Sequence, residues 1–83
     1  MTMKKFVIRP DGSKEVADSI VERCKEEPER YYTQIRRLAG YEGLIARKSR
    51  KDGKWYFTDH TDSLKSPVQG LDDLGALTYL LEE

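Results

Sequence analysis

The densest chemistry in this 83-residue sequence lies between Arg47 and Trp55. Five basic side chains, Arg47, Lys48, Arg50, Lys51 and Lys54, fall within eight residues, and Trp55-Tyr56-Phe57 complete the run. Cations so placed neutralise phosphates and release counterions, which makes such binding salt-dependent. Aromatic rings beside them stack on bases. Arg36 and Arg37 extend the positive region upstream. Arg36, Arg37, Arg47, Lys48, Arg50, Lys51, Lys54 and Trp55 are therefore the candidate residues for contact with a nucleic acid or an acidic protein surface. The alternative is that Trp55 and Phe57 face a core while the cations keep a hairpin soluble and its edge unpaired.

Catalytic groups are scarce. Cys24 falls on an apolar helical stripe, where a buried structural thiol is expected rather than a nucleophile. His60, between Asp59 and Asp62, is the one histidine, whereas zinc sites take three or four ligands rich in cysteine and histidine. Adjacent carboxylates such as Glu26/Glu27 and Asp72/Asp73 do not face one another on a helix, so they make no acid–base dyad. Asp72 and Asp73 instead complement a helix N-terminus. No glycine-rich phosphate loop is present. The expectation is a non-enzymatic protein with neither metal nor cofactor.

Fifteen basic and 15 acidic side chains give a formal net charge of zero, but the charges are sorted along the chain. Residues 36–54 hold seven basic against two acidic side chains, or +5, and residues 55–83 hold one against six, or −5. Such asymmetry bears on partners rather than on fold. The size predicts one small domain, 1–83, of marginal stability. No apolar run suits a membrane span, and the N-terminal lysines precede no signal-type apolar core. With a single cysteine, a cytoplasmic location is expected.

The elements that must position these residues follow from punctuation and periodicity. A strand is predicted at 4–9, ending in the turn signal Arg9-Pro10-Asp11-Gly12. Ser13 then caps a helix at 14–27 with Glu15 in its first turn; a hairpin continuing through Ser13–Val16 is the alternative. Pro28 separates this from a second helix at 29–39, C-capped by Gly40. Residues 44–50 and 54–59 form a hairpin around Asp52-Gly53. A two-residue turn sets Arg50 against Trp55 and Lys48 against Phe57; a three-residue loop slides this by one. Ser66-Pro67-Val68 is a candidate edge strand. A leucine-rich helix at 71–82 closes the chain, with Gly75 permitting a close contact. The fold class is α+β, with a short antiparallel sheet or hairpin, about three helices and the order β-α-α-β-β-(β)-α.

The stretch Ile35-Arg36-Arg37-Leu38, then Gly43-Leu44-Ile45, then the basic Asp-Gly tip, resembles the recognition helix and wing of winged helix-turn-helix DNA-binding domains over about a quarter of the chain. The resemblance implies base contacts from Arg36 and Arg37 and phosphate contacts from Arg47, Lys48, Arg50, Lys51 and Lys54. The chain departs from that family in lacking the usual short positioning helix before the second helix. Two functional readings result. The first is a small protein-binding adaptor or inhibitor of the kind phages and mobile elements direct at a host complex, with a homodimer through the last helix as a variant. The alternative is a DNA- or RNA-binding protein using the basic hairpin.

Overall fold

The computed structural model describes residues 3–82. Its elements are β1 (Phe6–Ile8), β2 (Lys14–Val16), α1 (Ala17–Glu26), α2 (Arg30–Tyr41), β3 (Ile45–Lys48), β4 (Trp55–Thr58) and α3 (Asp73–Leu81). The class is α+β, with three helices and two separate two-stranded antiparallel sheets, β1–β2 and β3–β4. The helical stripes Ala17/Ile20/Val21/Cys24, Tyr31/Ile35/Leu38/Ala39 and Ala76/Leu77/Leu80/Leu81 meet in one core with Trp55 and Phe57. No helix among the described residues is long and apolar enough to cross a membrane.

Several boundaries differ from expectation. The first strand shortens to Phe6–Ile8, and the segment after its turn continues as β2 instead of starting a helix. Ser13 does not cap α1; its N–H and Oγ both donate to Asp11 Oδ1, at 2.9 and 2.6 Å, inside the turn. The alternating side chains of Lys14-Glu15-Val16 suit an extended segment once β1 lies alongside, with Phe6 opposite Val16, Val7 opposite Glu15 and Ile8 opposite Lys14. Helix α2 runs through Gly40 to Tyr41, so Gly40 is no cap. Gly43 takes the left-handed conformation instead, at φ 72°.

The second hairpin is offset by two residues from the two-residue-turn register. Lys48 lies opposite Trp55, Arg47 opposite Tyr56, Ala46 opposite Phe57 and Ile45 opposite Thr58. Arg50-Lys51-Asp52-Gly53 forms a four-residue loop closed by Ser49 N–H donating to the Lys54 carbonyl. Asp52 Oδ1 accepts from Lys54 N–H at 3.0 Å and Ser49 Oγ from Lys51 N–H at 3.2 Å, which fixes the longer loop. A slip of two preserves the face of every side chain, so Trp55 and Phe57 keep the same side in either register.

The candidate edge strand at 66–68 does not form. Residues 64–71 nevertheless run along the free edge of β4. Trp55 and Leu71 exchange both backbone hydrogen bonds, Lys65 N–H donates to the Phe57 carbonyl, and Ser66 Oγ accepts from Phe57 N–H. Pro67 cannot donate to a ladder, and the Ser66 hydroxyl supplies the bond that a backbone carbonyl would otherwise make. Helix α3 begins at Asp73, two residues later than expected, with Asp72 as its N-cap accepting from Gly75 N–H at 2.6 Å.

Candidate binding surfaces

The basic residues singled out in the sequence divide into two groups. Trp55 leaves the set altogether: its side chain is 0% exposed, and its Nε1–H donates to Asp73 Oδ1 at 2.8 Å. It cannot stack on a base, because β4 turns Trp55 and Phe57 inward while Tyr56 and Thr58 point the other way. Arg37 is likewise tied into the fold. Its guanidinium holds Glu15 through both terminal nitrogens, at 2.6 and 3.1 Å, and also donates to Gln34 and the Tyr41 hydroxyl. Lys48 lies over the Trp55 ring, 5.7 Å from its centroid, and 3.4 Å from Asp73. Arg47 pairs with Asp62 at 3.6 Å.

Arg36, Arg50, Lys51 and Lys54 have no carboxylate partner among the described residues and are exposed. Arg36 stacks on Tyr32, which in turn touches Trp55 at 5.6 Å between ring centroids. The free cation of α2 is thereby joined to the loop end of the β3–β4 hairpin. The acidic third is used partly within the fold. Asp62 and Asp73 neutralise Arg47 and Lys48, and Asp72 caps α3.

Glu15, expected in a helical first turn, lies in β2 between Arg37 and Arg9. Hydrogen bonds from Arg37 and then Arg9 outweigh its partial burial and lower its pKa from 4.5 to about 2. Cys24 is fully buried and its thiol pKa is raised by desolvation, in keeping with a structural role. His60 is exposed in the turn that Asp59 organises, where Asp59 Oδ1 accepts from Thr61 N–H, Thr61 Oγ1 and Ser63 N–H. Among the described residues no three His, Cys, Asp or Glu side chains gather as a metal site.

A second surface was not singled out in the sequence. The β1–β2 hairpin puts only Val7 into the core, while Phe6, Ile8 and Val16 are 49, 64 and 48% exposed. Phe6 and Val16 are cross-strand neighbours, and Ile8 shares their face two residues along. The larger apolar side chains of the hairpin thus point outward. Lys14, opposite Ile8, lies over the Phe6 ring at 5.6 Å. The signal was present in Phe6-Val7-Ile8, a strand apolar on both faces, but one short strand does not reveal which face meets the core.

The apolar face of α3, a candidate dimer surface, is occupied: Ala76, Leu77, Leu80 and Leu81 are all buried in the chain's own core. No family model, curated protein or solved structure matches this chain.

Proposed function

We propose that this protein is a small non-enzymatic protein-binding module, an adaptor or inhibitor, whose contact surface is the outer face of the β1–β2 hairpin. The observation that carries this reading is the outward Phe6, Ile8 and Val16. Contiguous exposed apolar side chains on so small a chain mark a surface that a protein partner covers. Affinity capture from the source cells tests it, with the wild-type chain and a Phe6→Ser/Ile8→Ser variant as baits. One stoichiometric protein retained by the wild type and lost with the folded variant is the expected result. Recovery of the same proteins by both baits, or of none, overturns it.

A specific observation also favours nucleic acid as a second reading. Helices α1 and α2 are joined by three residues and followed by a hairpin with free cations at Arg50, Lys51 and Lys54, beside Arg36. Helix, short turn, helix and basic hairpin is the order a winged DNA-binding motif uses. Mobility shift of mixed DNA and RNA at low salt tests this second reading. Retardation that fades steeply with salt and disappears in the fourfold alanine variant of Arg36, Arg50, Lys51 and Lys54 supports it. No retardation at low salt removes it.

A further inference from the structure

We propose that the partner adds an extended strand along the open edge of β1, with an apolar side chain opposite Val7 and carboxylates opposite Lys5 and Arg9; this rests on the reading of the chain as a protein-binding module. Strand alternation defines which edge is open. The Lys5 carbonyl accepts from Ala17 N–H and Arg9 N–H donates to the Ser13 carbonyl, so the backbones of Lys5, Val7 and Arg9 face β2. Those of Lys4, Phe6 and Ile8 must face the other way. Lys4 N–H is taken there by the Leu81 carbonyl at 2.8 Å. The N–H and C=O groups of Phe6 and Ile8 have no backbone partner among the described residues and form a free template for strand pairing.

A cavity of about 210 Å³ lies beside this edge, lined by β1, by Leu38, Tyr41 and Leu80 and by the Lys4–Glu42 ion pair, with no residue of β2. An added residue opposite Val7 projects to the same face as Val7 and enters this space, while its two neighbours lie against Phe6 and Ile8 on the outer face. The edge therefore offers backbone pairing, a pocket and outer apolar cover to one extended segment.

Charge chooses between a foreign segment and a second copy. The antiparallel register that satisfies both Phe6 and Ile8 in a second copy sets Lys5 directly opposite Arg9 of that copy, twice about the twofold axis. Like charges so placed oppose pairing. Lys5 has no ion-pair partner among the described residues, whereas Arg9 holds Glu15 at 3.2 Å and keeps the rest of its half-exposed guanidinium for a second carboxylate. A strand with glutamates at these two positions is complementary where a second copy is repelled.

The probe is a blocked peptide of the order threonine-glutamate-valine-leucine-valine-glutamate, which ends opposite Lys5 and so stops short of the Leu81 carbonyl that Lys4 N–H already meets, added to the intact chain and followed by amide resonances. Binding is expected to slow hydrogen exchange at the Phe6 and Ile8 amides. N-methylation of both valines, whose amides face β1, should weaken binding about tenfold or more, and N-methylation of the central leucine should not. Lysine in place of the glutamates should also weaken it. Ile8→Pro, which deletes one outward N–H, should abolish binding; retained amide dispersion confirms that the variant folds. Equal effects of the two N-methylations, unchanged exchange at Phe6 and Ile8, or pairing of the chain with itself overturns strand addition. A partner captured through Phe6 and Ile8 whose complex leaves those two amides unprotected overturns strand addition alone and leaves the protein-binding reading standing.

Discussion

Glu15 shows how one side chain acquires a role that its type alone does not announce. A glutamate before an apolar stripe suits a helical first turn, yet here it clamps β2 to α2 through Arg37 and to β1 through Arg9. Its pKa, lowered from 4.5 to about 2, makes it a source of stability at neutral pH. That contribution is complete above about pH 5 and is lost as pH falls from there through about 2. Because the guanidiniums remain partly solvated, its size is about 1 kcal/mol. Urea unfolding of wild type and Glu15→Gln should therefore differ at pH 7 and converge toward pH 2. Trp55 is the other residue whose role the fold reassigns. Trp55→Phe removes the donor to Asp73 and leaves that carboxylate only the 3.4 Å contact with Lys48. A loss of about 1–2 kcal/mol in chemical denaturation is expected.

At the level of elements, the glycines in two loops and one helix behave differently under the same substitution. Gly53 is left-handed, at φ 68°, with open space where a Cβ would sit. Gly53→Ala should cost about 1 kcal/mol of hairpin stability from backbone conformation alone. Gly70 is also left-handed, but its Cβ would lie 2.7 Å from Lys54 Cβ and 2.9 Å from the Tyr56 ring. Gly70→Ala should be markedly worse, detaching residues 64–71 from β4, which amide exchange at Trp55 and Phe57 would report. Gly75 lies within α3, where alanine ordinarily gains about 1 kcal/mol. Its Cβ would meet the capping Asp72 Oδ1 at 2.7 Å. Gly75→Ala should bring no gain in the wild type yet stabilise an Asp72→Ala background, a coupling that thermal melts of the four variants can measure.

For the molecule as a whole, the division between core and outer hairpin face predicts two contrasting responses. A chain of this size has about 4–12 kcal/mol of stability in total. Leu77, fully buried where α3 meets the core, should cost about 2–5 kcal/mol on truncation to alanine and leave much of the population unfolded at 37 °C. Phe6→Ser and Ile8→Ser, though both remove a large apolar group, should cost far less than Leu77→Ala, because about half or more of each side chain is already in water. Much of the plan was determined by the sequence alone. Three stripes at helical spacing, Pro28 between two helices and Asp52-Gly53 between β-prone runs specify the α+β class and the element order, since these are local preferences that any context must respect. The zero net charge is likewise sequence-determined, as is its sorting into a positive stretch before a negative one. The tertiary structure decided which side of each element meets another. Residues 14–16 become a strand only because β1 lies beside them. The inward face of β4 withdraws Trp55 from the proposed contact residues. Glu15, Asp62 and Asp73 neutralise Arg37, Arg47 and Lys48, leaving Arg36, Arg50, Lys51 and Lys54 as the cations without a carboxylate partner among the described residues. Phe6 and Ile8 stay outside because the core admits only Val7 from β1. Such outcomes depend on contacts between residues far apart in the chain, and a local pattern holds no information about which distant face will cover it.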